Sequence, residues 1–408
     1  MTEMKESKIE WVGKIPNTWN LIRLKDYFDF EKGKNAQQYT QEYIGENQGL
    51  YPVYSGQTEN EGIMGRIRTY DYDIDKCIFT TTVGAKVMTV KLLEGKFSLS
   101  QNCLIMKKIK KCNEKFIYYL LQPLFENEKN KIPSYMQPSL RMEDLKSYSF
   151  HIPRIEEQVL IANLLDNKIE KIDNIINDLS KEIKTLEKYK KSLITEIVTK
   201  GITANAEFKK IKIGRVVELR QGLAINAQTN NLISTKETSL PLLRIADMNS
   251  GTKEIFMEEK IPRQYIANKK DLIYTRTGQV GLIFRNQEGV VHNNCFRVIP
   301  KNEDILTREY LYWTLKSDKF YQYANMLAFG SAQPDLSHSS FKLIEINVFL
   351  KEEQLKIANF LNIKCAQIDE IIKDKQNQID KMEKYKKSLI YEYVTGKKRV
   401  KGAEELYV

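Results

Sequence analysis

Two short loops carry the side chains best suited to chemistry with another molecule. "TTTVGAK" (80–86) and "TRTGQVG" (275–281) each follow an apolar run and set hydroxyls, a cation and a glycine turn side by side. Thr81, Thr82, Thr277 and Gln279 are hydrogen-bonding types, Arg276 offers a planar fork for guanine or phosphate, and Lys86 offers a point charge for phosphate. Two further turns, "SLSQN" (98–102) and "HNN" (292–294), add Gln101, Asn102, Asn293 and Asn294, types that match adenine edges and equally suit tight turns. A hairpin loop with solvent-facing polar residues is the plainer reading of all ten.

Catalytic signatures are missing from the sequence. It has no G-x-x-x-x-G-K-[ST] phosphate loop and no Asn/Asp-Pro-Pro-aromatic run of the adenine methyltransferase kind. Its three histidines (His151, His292, His338) lack metal-ligand spacing, and its five cysteines form no C-x-x-C pair, so no metal site is expected. The scattered, odd-numbered cysteines read as free thiols of a cytoplasmic protein. No apolar run reaches the ~18–20 residues of a membrane span, and the polar N-terminus resembles no secretory signal.

The elements that must position the loops show an internal duplication. "EKYKKSLI" occurs at 187–194 and again at 383–390. Extended, the copies align without a gap, with roughly 25 of about 45 positions identical at an offset of ~196 residues. Leu165, Ile169, Ile172, Ile176, Leu179, Ile183 and Leu186 step 4-3-4-3, and the frame continues past Lys190 to Leu193 and Ile197. The second copy keeps the frame through Leu361, Cys365, Ile368, Ile372, Ile379, Met382 and Leu389, with Lys375 at the Leu179 position. This predicts two long helices with coiled-coil packing, each on the order of 60 Å. Glu156-Glu157 and Glu352-Glu353 suit the positive end of a helix dipole, and Gly201 and Gly396 close the helices.

The regions between are richer in β-type runs and carry most of the net charge of +11, which favours an anionic partner. They are distant copies of one plan: "CIFTTTVGAK" parallels "LIYTRTGQVG", "QNCLIM" parallels "NNCFRV", and "MQPSL" parallels "AQPDL". The expected fold is α+β: two globular domains separated by two long helices that form an antiparallel intramolecular coiled coil with pseudo-twofold symmetry. The expected boundaries are 1–153 and 201–350 for the domains, 154–200 and 351–397 for the helical spacers, and 398–408 for a tail. Identical helices with divergent domains suggest one scaffold carrying two readers. Tyr189, Lys190 and Lys191, with Tyr385, Lys386 and Lys387, then become candidates for docking two copies of one partner, against the plainer reading of a solvated basic face.

At this point the chain resembles the specificity subunits of type I restriction–modification systems over nearly its whole length. The opening "IEWVGKIPNTW", with its IPxxW element at Ile15–Trp19, carries the resemblance, as do the two helical blocks and the Q-P-x-L segments that precede them. The second half departs by lacking an IPxxW entry. The resemblance implies two target-recognition domains, each reading half of a split, asymmetric double-stranded DNA site. The helices then set the spacer and dock two modification (methyltransferase) subunits, with restriction subunits completing the complex. S-adenosylmethionine, ATP and Mg would sit on those partners, and no cofactor on this chain. Half-sites read from one face are about one turn apart, ~34–36 Å, which a ~60 Å coil can span. A fused enzyme and a sequence-indifferent nucleic-acid organiser remain the competing classes. The first needs a catalytic domain, and the second needs no divergent readers.

Overall fold

A computed structural model describes residues 3–56, 59–84, 86–133, 135–328 and 333–407. The chain forms two compact units, 1–178 with 378–408, and 179–377. Both boundaries fall inside the long helices: the second unit is one contiguous stretch, the first is made of two, and each takes in parts of both long helices.

In the first unit the central sheet has six strands: β1 (Phe28–Lys32), β2 (Gln48–Tyr54), β3 (Ile63–Ile67), β4 (Tyr72–Thr81), β5 (Val90–Leu99) and β6 (Cys103–Lys108), in the order β1-β6-β4-β5-β2-β3. The second unit has a four-stranded sheet of β7 (Val217–Gln221), β8 (Leu272–Thr275), β9 (Ile283–Phe284) and β10 (Cys295–Pro300), in the order β7-β10-β8-β9. Match β1 to β7, β6 to β10, β4 to β8 and β5 to β9, and the order is the same. The register repeats as well: Thr81 faces Cys103, and Thr275 faces Cys295. The parallels read from sequence are therefore one fold used twice.

Each sheet packs on helices through large apolar side chains. In the first unit α1 (Glu114–Asn130) buries Phe116, Leu120, Leu121, Leu124 and Phe125, and Trp19 meets Phe116 edge to face. Burial of such side chains at about 1.5–3 kcal/mol each is the main term holding the sheet to its helices. Where unit one packs the one helix α1, unit two has two, α3 (Arg308–Lys316) and α4 (Asp318–Leu327). Ser317 interrupts it: its backbone is extended, and its hydroxyl accepts from the Phe320 N–H as a cap for α4.

The long helices are α2 (Ile155–Lys200) and α5 (Lys351–Val394), and they pair antiparallel inside each unit. In unit one, Asp173 pairs with Lys386 while Glu157 pairs with Arg399, so one number falls as the other rises. In unit two the same holds for Glu182–Lys375, Lys190–Asp369 and Thr203–Glu353. The early seam is buried as the heptad predicts, at Leu165, Ile169 and Ile172 and at Leu361, Cys365 and Ile368. Near the end of α2 it shifts, whereas in α5 the expected Leu389 is buried. Leu193 and Ile197 are only half-buried, and Ile194 and Val198 enter the core instead. The reason is a change of partner: there the helix faces the globular part of its unit, with Tyr310 donating to the Val198 carbonyl (3.2 Å).

Glu157 and Glu353 do more than complement a helix dipole. Both are buried, and each holds the chain that leaves the other long helix. Glu353 accepts from the Ile202 N–H (2.6 Å), the Thr203 N–H (2.8 Å) and the Thr203 hydroxyl. Glu157 accepts from the Tyr407 hydroxyl (2.6 Å) and lies 2.9 Å from the Arg399 guanidinium. Of the residues expected as a tail, 398–408, the described ones up to 407 belong to unit one, with Val400 and Ala403 in its core. The helix-closing glycines sit at φ +83° (Gly201) and +72° (Gly396). A Cβ on Gly396 would strike Pro16, so the IPxxW element packs there; in the second unit Ala206 and Phe349 lie at that place by Gly201.

Partial burial works to raise the Glu353 pKa, but the hydrogen bonds from Thr203 and Ile202 hold it below the ordinary 4.5. Its stabilising contribution is therefore present above the unfolded carboxylate value and is lost as pH falls through the lowered folded one. Glu353→Gln is expected to lower unfolding free energy by about 1–3 kcal/mol at neutral pH and to flatten the acid limb of the stability–pH curve, as denaturant melts would show.

Candidate nucleic-acid interface

Three segments meet at the end of each sheet: the loop after β4 or β8, the turn before β6 or β10, and the Q-P-x-L stretch. Backbone bonds fix the meeting in the same way twice. The Thr82 N–H donates to Asn102 O (2.8 Å) and the Leu140 N–H to Thr82 O (2.8 Å). In unit two the Arg276 N–H donates to Asn294 O (2.8 Å) and the Leu336 N–H to Arg276 O (2.9 Å). A fourth segment crosses close by at Gly33 and Gly222, where a Cβ would lie 2.5 Å from Leu99 O or 2.2 Å from His292 O, so only glycine fits.

The residues nominated from sequence fall into groups. Thr82, Gln101 and Asn102 come together, lining a polar recess of about 550 Å³ with Lys32, Lys34, Asn35, Gln37 and Gln38. Asn102 takes φ +64°, the left-handed backbone that asparagine tolerates in turns. Thr81 corrects its nomination: it is 2% exposed, and its hydroxyl donates to Lys86 O (2.5 Å) and accepts from the Thr89 N–H (3.1 Å), closing the loop. Thr275 does the same, donating to Gln279 O and accepting from the Leu282 N–H. Lys86 and Gln279 are exposed on the outer limb of each loop, and Ala85 lies outside the described residues. Burial lowers the Lys129 pKa; the Glu126 carboxylate opposes this and the positive charges of Lys86 and Lys387 add to it, so the three lysines lie within electrostatic reach of one another with Glu126 among them.

In unit two, Arg276 and Thr277 meet a residue that sequence reasoning left unassigned. Arg276 donates from Nε to Asp335 Oδ1 (3.1 Å), from Nη2 to Asp335 Oδ2 (2.5 Å) and from Nη1 to Gln221 Oε1 (3.2 Å). Thr277 donates its hydroxyl to Asp335, and Gln221 donates to Asn293 O (2.6 Å). Arg276 is therefore not the unattached fork that its loop position suggests. Partial burial tends to raise the Asp335 pKa, but the bonds from Arg276 and Thr277 hold it below the ordinary 3.8. Asn293 and Asn294 serve this frame through their carbonyls. Part of the signal for Asp335 was present in the duplication, since Ser139 stands at its place in the first copy; the structure moves the other half by one residue, setting Thr82 at the place of Arg276 where the sequence parallel sets Thr81. Burial lowers the His292 pKa, and its Nδ1 accepts from the Asn294 N–H (3.3 Å), so it stays neutral within the turn.

On the repeated helical segment, Tyr189 and Tyr385 are 55% and 50% exposed, and Lys191 is exposed too. Lys190 and Lys386 are not free for a partner. They pair with Asp369 (2.5 Å) and Asp173 (2.6 Å), equivalent carboxylates on the facing helix. Lys387 pairs with Glu126 on α1 (2.6 Å). Burial pushes the Cys77, Cys103, Cys112 and Cys295 thiols up to about 12, which makes them unreactive as nucleophiles. No cluster of His, Cys, Asp and Glu among the described residues could hold a metal ion, and no helix there is long and apolar enough to cross a membrane.

A doubled frame with divergent polar loops defines a pair of recognition domains built on a common helical scaffold. The model of the type I restriction modification DNA specificity domain matches this chain twice, over residues 16–185 and 205–381. The chain belongs to that family of type I specificity subunits, and its part in such systems is recognition rather than catalysis. Over 420 residues it is 24% identical to the type I restriction enzyme MjaVIII specificity subunit of Methanocaldococcus jannaschii, covering 95% of each chain. It is 26% identical to the putative type I specificity subunit S.MpnORF507P of Mycoplasma pneumoniae, covering 83% of this chain and 87% of that one. A solved chain from a study of complex assembly and conformational transition of the type I R-M system shares the fold, with TM-score 0.72 and 13% identity over 93% of this chain and 98% of its own.

Thr81→Val leaves the Thr89 N–H without its acceptor and is expected to cost about 1–2 kcal/mol in a thermal melt. Lys86→Ala on the same loop should change stability by no more than about 0.5 kcal/mol.

Proposed function

We propose that the chain reads a split, asymmetric double-stranded DNA site, each recognition domain taking one half. One observation supports this above the others. The two units hold the same backbone frame but fill it with different side chains: Thr82 against Arg276, Val83 against Thr277, Ser139 against Asp335, Gln101 against Asn293. A frame kept constant while its polar letters change is what two readers of unlike sequences require, because base edges are told apart by donor and acceptor pattern. Basic residues such as Lys86 and Lys129 then act on phosphates, setting register without reading sequence.

The repeated helices set the spacer between half-sites and dock two adenine-methyltransferase subunits. Their exposed Tyr189 and Tyr385, with Lys191, are the residues left for that contact once Lys190 and Lys386 are assigned to the helix pair. S-adenosylmethionine, ATP and Mg belong to the methyltransferase and restriction partners, and the cytoplasm, where DNA and those partners meet, is the place of action.

The test is a map of methyladenine across the genome of cells carrying a cognate methyltransferase subunit, with and without this chain. The expected result is a gapped two-part motif that depends on the chain. Replacing residues 1–153 by those of a relative should then change one half of the motif only. An active methyltransferase with no chain-dependent motif would overturn the reading in favour of a sequence-indifferent nucleic-acid binder, which lacks the ~10³-fold preference of a specific reader.

A further inference from the structure

We infer that Asp335 is a positioning residue that holds Arg276 as a guanine-reading fork in the second recognition domain. The inference rests on the DNA-reading role proposed above and assigns one base contact within it. A guanidinium has five N–H donors. Asp335 takes the Nε donor and one on Nη2, and Gln221 takes one on Nη1. Two donors remain, one on each terminal nitrogen, the number that a bidentate contact with guanine O6 and N7 uses.

The side chain is held before any ligand arrives. Gln221 is itself oriented by its bond to Asn293 O (2.6 Å), and Asp335 by the Thr277 hydroxyl. The Arg276 side chain keeps 23% of its surface accessible and that of Asp335 39%, so the pair stands at the edge of the domain rather than in its core. An arginine fixed in advance loses little rotamer freedom on binding, which favours discrimination over loose phosphate attraction.

A purely structural role for the ion pair is argued against by the first unit. There the same loop is held by the same backbone bonds, with Thr82 and Ser139 in place of Arg276 and Asp335. The frame forms without the charges, so the charges are a feature of this reader alone.

The experiment maps methyladenine motifs in cells with the methyltransferase subunit and, in turn, the wild-type chain, Arg276→Gln, Arg276→Lys and Asp335→Asn. The expected result is loss of preference at a single G·C pair in the half-site changed by swapping the second domain. Both Arg276 variants should relax that pair by about tenfold or more, Asp335→Asn should relax the same pair less, and the other half-site should stay intact. The intact half reports a folded, assembled complex in every variant. The inference is overturned if the second half-site holds no G·C pair. It also fails if Arg276→Lys behaves as wild type, which marks a phosphate contact, or if Asp335→Asn alters a different pair from Arg276→Gln. A uniform loss of methylation with the motif unchanged likewise overturns it by marking a structural pair. The DNA-reading role itself fails only if the wild-type chain yields no motif.

Discussion

The start of each long helix is buried against the chain that leaves the other one. A carboxylate cannot enter a protein interior unless its lone pairs are satisfied. Glu353 meets that condition with two backbone N–H groups and a hydroxyl from 202–203, whereas Glu157 has the Tyr407 hydroxyl on one oxygen and only the charge of Arg399, 2.9 Å away and not in hydrogen-bonding geometry, beside the other. This requirement joins segments about 150 or 250 residues apart in sequence. Because of it, each compact unit is assembled from both long helices, and the C-terminal residues become part of the first unit's core. The divergent polar loops are carried on sheets that rest on those helices.

The letter-for-letter repeat of "EKYKKSLI" has a physical basis inside the chain as well as the use outside it proposed above. Its second lysine in each copy, Lys190 or Lys386, reaches an aspartate on the facing helix, Asp369 or Asp173. A half-buried ammonium needs a partner at a fixed height, so a pair of this kind sets register more than it adds stability. The tyrosine before it and the lysine after it have no such duty in the helix pair, and sequence identity there calls for a different cause. That division within eight residues separates scaffold from surface.

Divergence is concentrated where the frame tolerates it. The hydroxyls of Thr81 and Thr275 perform the same closure, and Gly33 and Gly222 allow the same close crossing, because backbone geometry leaves no alternative. One position further along, Thr82 and Arg276 differ in size and charge at no cost to the frame. Such tolerance lets one fold present different hydrogen-bonding patterns.

Much of this was legible in the sequence. The duplication, the two helices and the paired loops follow from local pattern, namely a heptad period, glycine stops and strings repeated at nearly one offset, and the class of function from the family resemblance that the ordered motifs carry. Pattern reports what a residue's neighbours in the chain require. It could not report the shift of the buried face onto Ile194 and Val198, which depends on the globular part that the helix end meets. Nor could it show that Glu157 and Glu353 cap a distant segment, or that Arg276 is held by Asp335, 59 residues away. Those facts arise from burial and from the pairing of charges across long sequence separations, and only the folded chain brings such groups within hydrogen-bonding distance.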